Sequence, residues 1–239
     1  MKVAVVGFGA MGREVAAVLI ERGHEVAPVR RDDPLPACPV GIDFSVAASV
    51  PGNVQRAMAL GMRYVVGTTG WSDHLEDVTR TVAAAAGGLV HAANFSLGVN
   101  LFYKAVREAA ALMARFPDYE PYVLERHHRR KRDAPSGTAR ELAAIVQAAT
   151  RRQPVTQLDG ALPAGSFQVA SLRAGGIVGD HTVGFDSGFD EIRLEHSARS
   201  RRGFALGAVR AAEWIAGKSG CYAFEEILDR LGDASRPIG

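Results

Sequence analysis

Short apolar runs alternate with amphipathic stretches along the first part of this chain. The apolar runs are rich in β-branched residues and predict buried strands at residues 2–6, 24–29, 40–44, 64–66 and 89–92. The amphipathic stretches, in the first of which Val15, Val18 and Leu19 share one face, predict helices at residues 11–21, 54–60 and 73–86. Strands that alternate with helices in this way indicate an α/β domain built on a parallel sheet.

The pattern changes after residue 96. Helices are predicted at residues 97–116 and 138–149, and strands at residues 122–124, 167–173, 177–185 and 191–198. The later strands partly alternate apolar and polar positions, and the short turn at Ala174, Gly175 and Gly176 favours an antiparallel hairpin. We therefore expect a second, α+β domain with a mixed sheet.

Two further apolar helices are predicted near the end of the chain, at residues 204–216 and 224–231. We expect them to return to the first domain and make it discontinuous. The expected domains are residues 1–96 plus 206–239, and residues 97–205.

A glycine-rich turn follows the first predicted strand directly. Gly7, Phe8, Gly9, Ala10, Met11 and Gly12 match the motif G-x-G-x-x-G between a predicted strand and a predicted helix. In that context the first glycine allows a tight turn, the second lets backbone approach a pyrophosphate, and the third permits close helix–strand packing. The turn predicts a Rossmann-type domain that binds a nicotinamide dinucleotide. The alternative is a glycine-rich turn in an unrelated α/β protein.

The end of the second predicted strand bears on which dinucleotide fits. An acidic residue there would hydrogen-bond the ribose 2′-hydroxyl of NAD. This chain instead has Arg30 and Arg31, and an arginine fork suits a 2′-phosphate. We therefore predict NADPH as the preferred coenzyme, with NADH possible through the neighbouring Asp32 and Asp33.

Ligands of parallel sheets bind beyond the carboxyl ends of the strands. The residues that follow the predicted strands are accordingly expected to line the coenzyme groove: Ser45, Gly67, Thr68, Thr69, Ala92, Ala93, Asn94 and Phe95. Any one of them alone is equally typical of an ordinary turn. Their shared position at strand ends is what predicts a groove.

Composition narrows the class of protein. Of 239 residues, 47% are hydrophobic and 23% are charged, which is ordinary for a globular protein. The formal net charge is only +2, so the basic character is local to residues 126–132 and 199–202, which argues against a general nucleic-acid binder. Cys38 and Cys221 are far apart without metal-ligand spacing, and no apolar run approaches a membrane span. We expect a cytoplasmic protein with no membrane segment.

The strongest chemical signal is at residues 125–138, which combine adjacent His127 and His128, Lys131, several arginines and a helix start. Histidine exchanges a proton near neutral pH, and the first N–H groups of a helix bind carboxylates and phosphates. The segment can therefore hold a small acidic molecule and give it a proton. Two other interpretations stay open at this point: a solvated or nucleic-acid-binding basic face, and a capping box of Thr138 and Glu141 that needs no ligand.

A family resemblance rests on that segment and on others around it. Residues 125–138 carry E-x-H-H-x-x-K-x-D-A-P-S-G-T intact, and further matches stand at residues 7–12, 42–45, 67–70, 93–100, 173–181 and 204–209. In these motifs the chain resembles the dihydrodipicolinate reductase family, also called 4-hydroxy-tetrahydrodipicolinate reductases, of the diaminopimelate and lysine pathway. The matching residues span nearly the whole chain.

The resemblance implies an activity and residue roles. It implies NAD(P)H-dependent reduction of a small cyclic dicarboxylate by a homotetramer that assembles through the sheet of the second domain. By position, His127 matches the family's proposed general acid, and Lys131 matches the residue proposed to assist that acid and contact the substrate. The family positions that hold the substrate carboxylates match His128, Ser136, Gly137 and Thr138. The coenzyme positions match residues 7–12, 67–69 and 92–95. An arginine among residues 199–202 is a further hypothetical contact to the substrate.

The chain also departs from the commoner family pattern. Many members have the seven-residue turn G-x-x-G-R-M-G and Glu-Arg after the second strand, where this chain has a six-residue turn and Arg30-Arg31. Residues 31–41 are too few for the helix usually found between strands two and three. These departures concern coenzyme preference and groove shape rather than the chemistry.

Two other functions are consistent with the same sequence features. Another nicotinamide oxidoreductase acting on an imino or keto diacid would share the same features. So would a non-enzymatic dinucleotide sensor that binds nucleic acid through residues 126–132, against which the near-neutral charge speaks. No metal site is expected, because the adjacent His127 and His128 lack the sequence partners expected for zinc.

Replacing both Arg30 and Arg31 by Ala is expected to raise the KM for NADPH far more than the KM for NADH. The reason is that a guanidinium pair binds the 2′-phosphate that only NADPH carries. Steady-state kinetics with each coenzyme measures this. Equal effects on the two coenzymes would contradict the assignment.

Overall fold

The computed structural model describes residues 1–31 and 33–232. Its strands are β1 (Lys2–Val6), β2 (Glu25–Val29), β3 (Val40–Asp43), β4 (Arg63–Val66), β5 (Gly88–His91), β6 (Glu120–His127), β7 (Gln153–Val155), β8 (Ser166–Arg173), β9 (Asp180–Asp186), β10 (Glu191–Ser197) and β11 (Gly220–Ala223). Its α-helices are α1 (Ala10–Glu21), α2 (Val50–Ala59), α3 (Leu75–Ala84), α4 (Leu97–Met113), α5 (Gly137–Thr150), α6 (Arg202–Ile215) and α7 (Phe224–Gly232). Within the described ranges, no helix has both the length and the apolar composition to cross a membrane.

The first of two compact units contains residues 1–97 and 201–239. Its six-stranded sheet has the order β11-β5-β4-β3-β1-β2, and every recorded strand pair in it is parallel. Alternate side chains of each strand point to opposite faces, so the sheet has two cores. Val3 and Val5 pack with α1, α6 and α7, whereas Ala4 and Val6 pack with α2 and α3. The parallel α/β sheet predicted from the sequence is confirmed.

The second unit contains residues 98–200 and has a five-stranded sheet in the order β10-β9-β6-β8-β7. Strand β6 runs antiparallel to β9 and parallel to β8, so the sheet is mixed, as predicted. One face packs against α4 and α5, where Val123, Val169 and Val183 share a core with Val106 and Leu142. The neighbours of Val123 on β6, Tyr122 and Leu124, point to the opposite face of the sheet.

The predicted hairpin between residues 167–173 and 177–185 is wrong. Strand β6 lies between β8 and β9, so those two strands do not pair with each other. The connection from β8 to β9 instead crosses the end of β6. There the Ala174 N–H donates to the His127 carbonyl oxygen at 3.0 Å, and the Arg129 N–H donates to the Gly175 carbonyl oxygen at 3.3 Å. Parallel pairing of β6 with β8 overrides the local turn preference.

Two short strands are missing from the sequence-based assignment. Strand β7 has three residues and contains Pro154, which lacks an N–H and is typical of edge strands. Strand β11 has four half-buried residues and begins at Gly220, so neither its length nor its pattern marks it. Strand β6 is longer than predicted and ends at His127, which places this histidine on a strand rather than in a loop.

Replacing Gly207 in α6 by Ala is expected to destabilise the protein by about 1–3 kcal/mol, the usual cost of overpacking. A Cβ at this buried position would overlap the carbonyl oxygen of Phe95, which is backbone and cannot rotate away. Denaturant unfolding measures the change. As the control, Gly203→Ala lies in the same helix and would meet only the Ser96 hydroxyl oxygen at 3.8 Å. Equal losses in both variants would contradict the packing argument.

Candidate active site

The turn between β1 and α1 is shaped by its three glycines. Gly7 has a φ of 83°, which favours glycine, and a side chain there would overlap the Phe44 carbonyl group. A side chain at Gly12 would overlap the Gly7 carbonyl oxygen, so this glycine lets α1 pack closely against the turn. Gly9 is exposed, is the N-cap of α1 without a side-chain cap, and has open space where a Cβ would stand. The result is an open helix N-terminus, which attracts anions.

A cavity of about 270 Å³ adjoins this turn. Its lining includes Gly7, Phe8, Gly9, Arg30, Arg31 and Arg56. The Arg30 N–H donates to an Asp33 carboxylate oxygen at 2.9 Å, and Arg56 donates to the Asn53 side-chain oxygen at 2.6 Å. Asp32, which the sequence offers as a contact for NADH, lies outside the described residues. Three guanidinium groups on one cavity suit a strongly anionic ligand group.

A second cavity of about 270 Å³ lies in the same unit. It is lined by Met11, Phe44, Gly67, Ala93, Asn94, Phe95, Arg201 and Phe204. The Asn94 side-chain oxygen accepts from the Ser96 N–H at 2.9 Å, and the Phe95 ring packs on Phe224 with ring centroids 4.7 Å apart. Phe44 lines both cavities, so the two cavities are neighbours in the same unit.

The remaining predicted coenzyme residues differ in exposure. Ala10 and Thr69 are exposed, Ala92 is half-buried, and Thr68 is buried. Thr68 is fixed in position by its hydroxyl, which donates to the buried Asp43 carboxylate at 3.0 Å. The same carboxylate accepts from the Ser45 N–H, the Asn53 amide and the Tyr64 hydroxyl at 2.8–3.1 Å. Burial and the Asp43 carboxylate raise the pKa of Tyr64, so its hydroxyl stays a donor.

In the second unit, Glu125 is the centre of the site, with a side chain that is 0% exposed. Its Oε1 accepts hydrogen bonds from the Ser136 N–H (3.0 Å), the Ser171 hydroxyl (2.7 Å) and the Arg173 guanidinium (2.7 Å). Burial raises the pKa of Glu125, but hydrogen bonds from the side chains of Ser136, Ser171 and Arg173 and from the Ser136 N–H outweigh burial and lower this pKa to about 2. The carboxylate is therefore ionised at neutral pH.

Two imidazoles face the same carboxylate. His127 Nδ1 lies 3.3 Å from Glu125 Oε2, and His181 Nε2 lies 3.8 Å from the same oxygen. The two rings meet edge to face, with ring centroids 5.1 Å apart. Burial lowers the pKa of His127, Glu125 opposes this, and the positive charges of Lys131 and Arg173 lower it again. Burial and the neighbouring His127 lower the pKa of His181 to about 4. Both rings are therefore largely neutral at neutral pH.

Lys131 lies in the turn after β6. Its Nζ donates to both carboxylate oxygens of Asp133, at 2.7 and 3.0 Å, and Lys131 lowers the pKa of Asp133. The main-chain N–H of Lys131 donates to the carbonyl oxygen of His128 at 3.1 Å. Its recorded side-chain partner is thus Asp133, and its effect on His127 is through charge.

The start of α5 gathers the predicted substrate residues. The alternative of a capping box at Thr138 and Glu141 does not hold, because the N-cap is Ser136, whose hydroxyl accepts from the Ala139 N–H at 3.2 Å. Ser136 is buried and also lies 3.3 Å from His181 Nε2, whereas Gly137 is exposed and Thr138 half-buried. The first N–H groups of a helix have no intrahelical acceptor, so Gly137 and Thr138 offer donors to an anion. His128 is half-buried, and its Nδ1 has no partner among the described residues.

Comparison with known families decides the relationship. A family model described as dihydrodipicolinate reductase, C-terminus, matches residues 98–228, and one described as dihydrodipicolinate reductase, N-terminus, matches residues 30–95. The chain belongs to the dihydrodipicolinate reductase family. As a member, it is a nicotinamide-dependent oxidoreductase of the diaminopimelate and lysine route.

Individual relatives agree with the family assignment. The chain is 33% identical over 238 residues to the 4-hydroxy-tetrahydrodipicolinate reductase of Christiangramia forsetii, covering 97% of this chain and 99% of that one. It is 41% identical over 216 residues to the enzyme of the same name from Akkermansia muciniphila, covering 87% and 85%. The solved structure of dipicolinate-bound dihydrodipicolinate reductase from Paenisporosarcina sp. TG-14 matches with a TM-score of 0.78 at 24% identity, covering 95% and 99%. The last comparison confirms the fold.

Sequence reasoning about the reductase family assigned no role to Glu125, Ser171, Arg173 or His181. Glu125 and Arg173 stand within motifs quoted for the family, but their contact arises from strand pairing. The register places Ser171 and His181 directly beside Glu125 on either side, and Arg173 beside His127. The only sequence signal for Glu125 was an acidic residue two positions before a histidine on a strand, which puts both side chains on one face.

The reason for expecting no metal site needs correction. The fold supplies partners that the sequence spacing does not show, because it brings Glu125, His127 and His181 together, with candidate ligand atoms within 4.8 Å of one another. The Arg173 guanidinium already neutralises the same carboxylate. A metal ion would have to bind beside this cation, which opposes it by charge repulsion.

Replacing His181 by Gln is expected to reduce the pH dependence of stability. The pKa of His181 is about 4 in the folded protein, against an ordinary 6.5, so the unfolded chain binds a proton first as the pH falls. The wild-type contribution is present above pH 6.5 and is lost as the pH falls from 6.5 to 4. The difference is about 3 kcal/mol at the end of this window, because one unit of pKa corresponds to about 1.4 kcal/mol.

Urea unfolding of both proteins across that window measures the effect. The exposed His74 provides the control, because His74→Gln removes an imidazole that stands in water. Identical pH dependence in the wild type and His181→Gln would contradict the assignment of the neutral, buried ring.

Proposed function

We propose that this protein catalyses the NADPH-dependent reduction of 4-hydroxy-tetrahydrodipicolinate to tetrahydrodipicolinate. The observation that carries the proposal is a buried histidine, His127, held against an ionised carboxylate beside the helix start at residues 137–138. That combination joins a proton donor to an anion-binding helix terminus, which is what reduction of a dicarboxylate requires.

The first unit supplies the coenzyme half of the reaction. Gly9 at the open N-terminus of α1 leaves room for a pyrophosphate, and Arg30 and Arg31 line the adjoining cavity as expected for a 2′-phosphate. Asn94 and the main chain at Ala93 line the second cavity and suit the nicotinamide amide, which needs both a donor and an acceptor. When bound, the reduced nicotinamide supplies a hydride.

The second unit supplies the substrate half. The N–H groups of Gly137 and Thr138 and the Thr138 hydroxyl bind one carboxylate, and Lys131 with His128 attracts the other. Support comes from the exposure of the helix start and from the dipicolinate bound to the Paenisporosarcina enzyme, a planar diacid of the same ring type. Ser136 acts here by capping α5, which holds its N–H groups in place.

His127 acts as the general acid. The substrate loses its hydroxyl group as water, and the conjugated ring that results accepts the hydride. The electron pair that this addition places on the ring takes a proton from the His127 imidazolium, whose N–H bond breaks. A bound dicarboxylate raises the pKa of His127 by adding negative charge, which offsets the lowering by burial and by Lys131 and Arg173.

We propose further that the protein is a cytoplasmic homotetramer. The face of the second sheet that α4 and α5 do not cover carries the half-buried Leu124 and the exposed Leu172. This apolar pair suits contact with another copy of the sheet. Cys38 and Cys221 are both free thiols, which fits a reducing compartment.

His127→Gln is expected to lower kcat by about 10²-fold or more with little change in KM, because a general acid acts mainly in the transition state. Thr138→Val is expected to raise the KM for the diacid and to lower kcat less. The assay uses freshly generated 4-hydroxy-tetrahydrodipicolinate with NADPH or NADH, followed by the absorbance of the reduced coenzyme.

Thr150→Val, at the other end of α5, is the control for the threonine variant and should leave KM unchanged. Purified protein that is inert toward this heterocycle with both coenzymes, but active on another imino or keto diacid, would overturn the proposal.

A further inference from the structure

The two oxygens of the Glu125 carboxylate have different surroundings. Oε1 accepts hydrogen bonds from Ser136, Ser171 and Arg173, as described above. Oε2 is buried and has no hydrogen-bond partner among the described residues. An ionised oxygen that is removed from water without a donor is costly, so Oε2 requires an N–H or O–H group nearby. The ion-pair contacts recorded for Oε2 are to a nitrogen of His127 and a nitrogen of His181.

His181 already has a partner for the nitrogen that faces the carboxylate. His181 Nε2 lies 3.3 Å from the Ser136 hydroxyl oxygen, closer than the 3.8 Å that separates it from Glu125 Oε2. His127 Nδ1 lies 3.3 Å from Oε2, is buried, and has no other hydrogen-bond partner among the described residues. His127 Nδ1 is therefore the donor that Oε2 requires.

The opposite side of the His127 ring faces a residue without a side chain. A Cβ at Gly179 would lie 3.0 Å from His127 Nε2, a distance that would crowd the ring. Glycine at this position therefore leaves the Nε2 side of the ring less obstructed. The ring is thus oriented by a carboxylate at Nδ1 and given space at Nε2.

We propose that Glu125 is a positioning residue whose Oε2 accepts the Nδ1–H of His127, so that Nε2 is the atom that gives its proton to the substrate. The inference deepens the proposed reductase function and rests on it. In the step, the Nε2–H bond breaks and its electrons stay on Nε2. The reduced ring gains the proton, and neutral His127 keeps its Nδ1–H on Glu125 until water returns a proton to Nε2.

The charged and titratable groups around His127 come from every neighbouring element. They are Glu125 on the same strand, Arg173 on β8, His181 on β9, and Lys131 and Asp133 in the turn that follows β6. Glu125 and Asp133 favour the imidazolium, and Lys131 and Arg173 disfavour it. Removal of the Glu125 charge therefore leaves the positive groups dominant.

The first test needs no variant and no turnover. Nitrogen-15 NMR of histidine-labelled wild-type protein reports which ring nitrogen carries the hydrogen. The neutral His127 ring is expected to be the Nδ1–H tautomer, assigned by comparison with His127→Gln. A neutral ring in the Nε2–H form would overturn the proposal whether or not the protein reduces the heterocycle. The proposed function can fail with the tautomer as expected, so the two failures are distinguishable.

The second test is the pH profile of kcat. Glu125→Gln is expected to lower kcat about 10- to 100-fold at neutral pH and to move the descending limb to lower pH, because the imidazolium loses its counter-charge. The KM for the diacid should stay close to that of the wild type. Glu120→Gln is the matched control, since the same substitution on the same strand changes an exposed side chain.

Ser171→Ala separates positioning from stability. It removes a hydrogen bond from Oε1 but leaves the pairing of Oε2 with His127, so it should lower the free energy of unfolding without moving the pH profile. A Glu125→Gln protein with an unchanged descending limb would overturn the proposal. If that variant does not fold, Glu125→Asp keeps the charge and is expected to retain the wild-type limb with a lower kcat, and the wild-type NMR result still decides.

Discussion

The burial of the Glu125 charge is the constraint on which the second unit depends. An ion of this size is stable away from water only when donors and an opposite charge surround it. Arg173 provides the charge, Ser171 a hydroxyl, and the N–H of Ser136 a backbone donor. The same contacts attach the start of α5 to the sheet and orient two imidazoles. The packing of the strands, the placement of α5 and the charge beside two imidazoles therefore depend on one carboxylate.

The first unit also has a buried carboxylate at the edge of its sheet, but with other partners. Asp43 is surrounded by neutral donors: the Ser45 N–H, the Asn53 amide and the hydroxyls of Tyr64 and Thr68. Such donors hold the loops that end the strands and do not titrate near neutral pH. Glu125 faces histidines instead. The two buried carboxylates thus have different surroundings, one made of neutral donors and the other of an arginine, serine donors and two histidines.

Much of the first unit could be predicted from local pattern. The apolar runs and the glycine turn at Gly7 and Gly12 are signals that lie within a few residues of the structure they describe. The partners of Glu125 could not be predicted in this way. They lie 11 to 48 residues along the chain, and only strand register brings Arg173 and Ser171 to it. The same pairing places β6 between β8 and β9, so the hairpin that the local turn residues favour does not form.

The helix cap shows the same limit on a smaller scale. Thr138 and Glu141 satisfy a capping pattern, but Ser136 takes the position because its N–H is already bonded to Glu125. A contact between distant parts of the chain therefore favours the cap at Ser136 over the cap at Thr138. The histidines stand out from the nearby arginines by their proton exchange near neutral pH, but the choice of His127 over His128 and the role of Lys131 were inferred from resemblance.

The discontinuity of the first unit has a consequence for biosynthesis. Strand β11 pairs with β5, and α6 supplies core residues such as Ala208 and Ile215, yet both follow the whole of the second unit in the chain. A ribosome synthesises residues in order, so all of the second unit is made before β11 is available to pair with β5 in the first unit. During that interval the apolar face formed by Val3, Val5 and their neighbours lacks the cover that α6 and α7 provide. Nascent chains stalled between residues 200 and 220 should accordingly be the ones that chaperones retain.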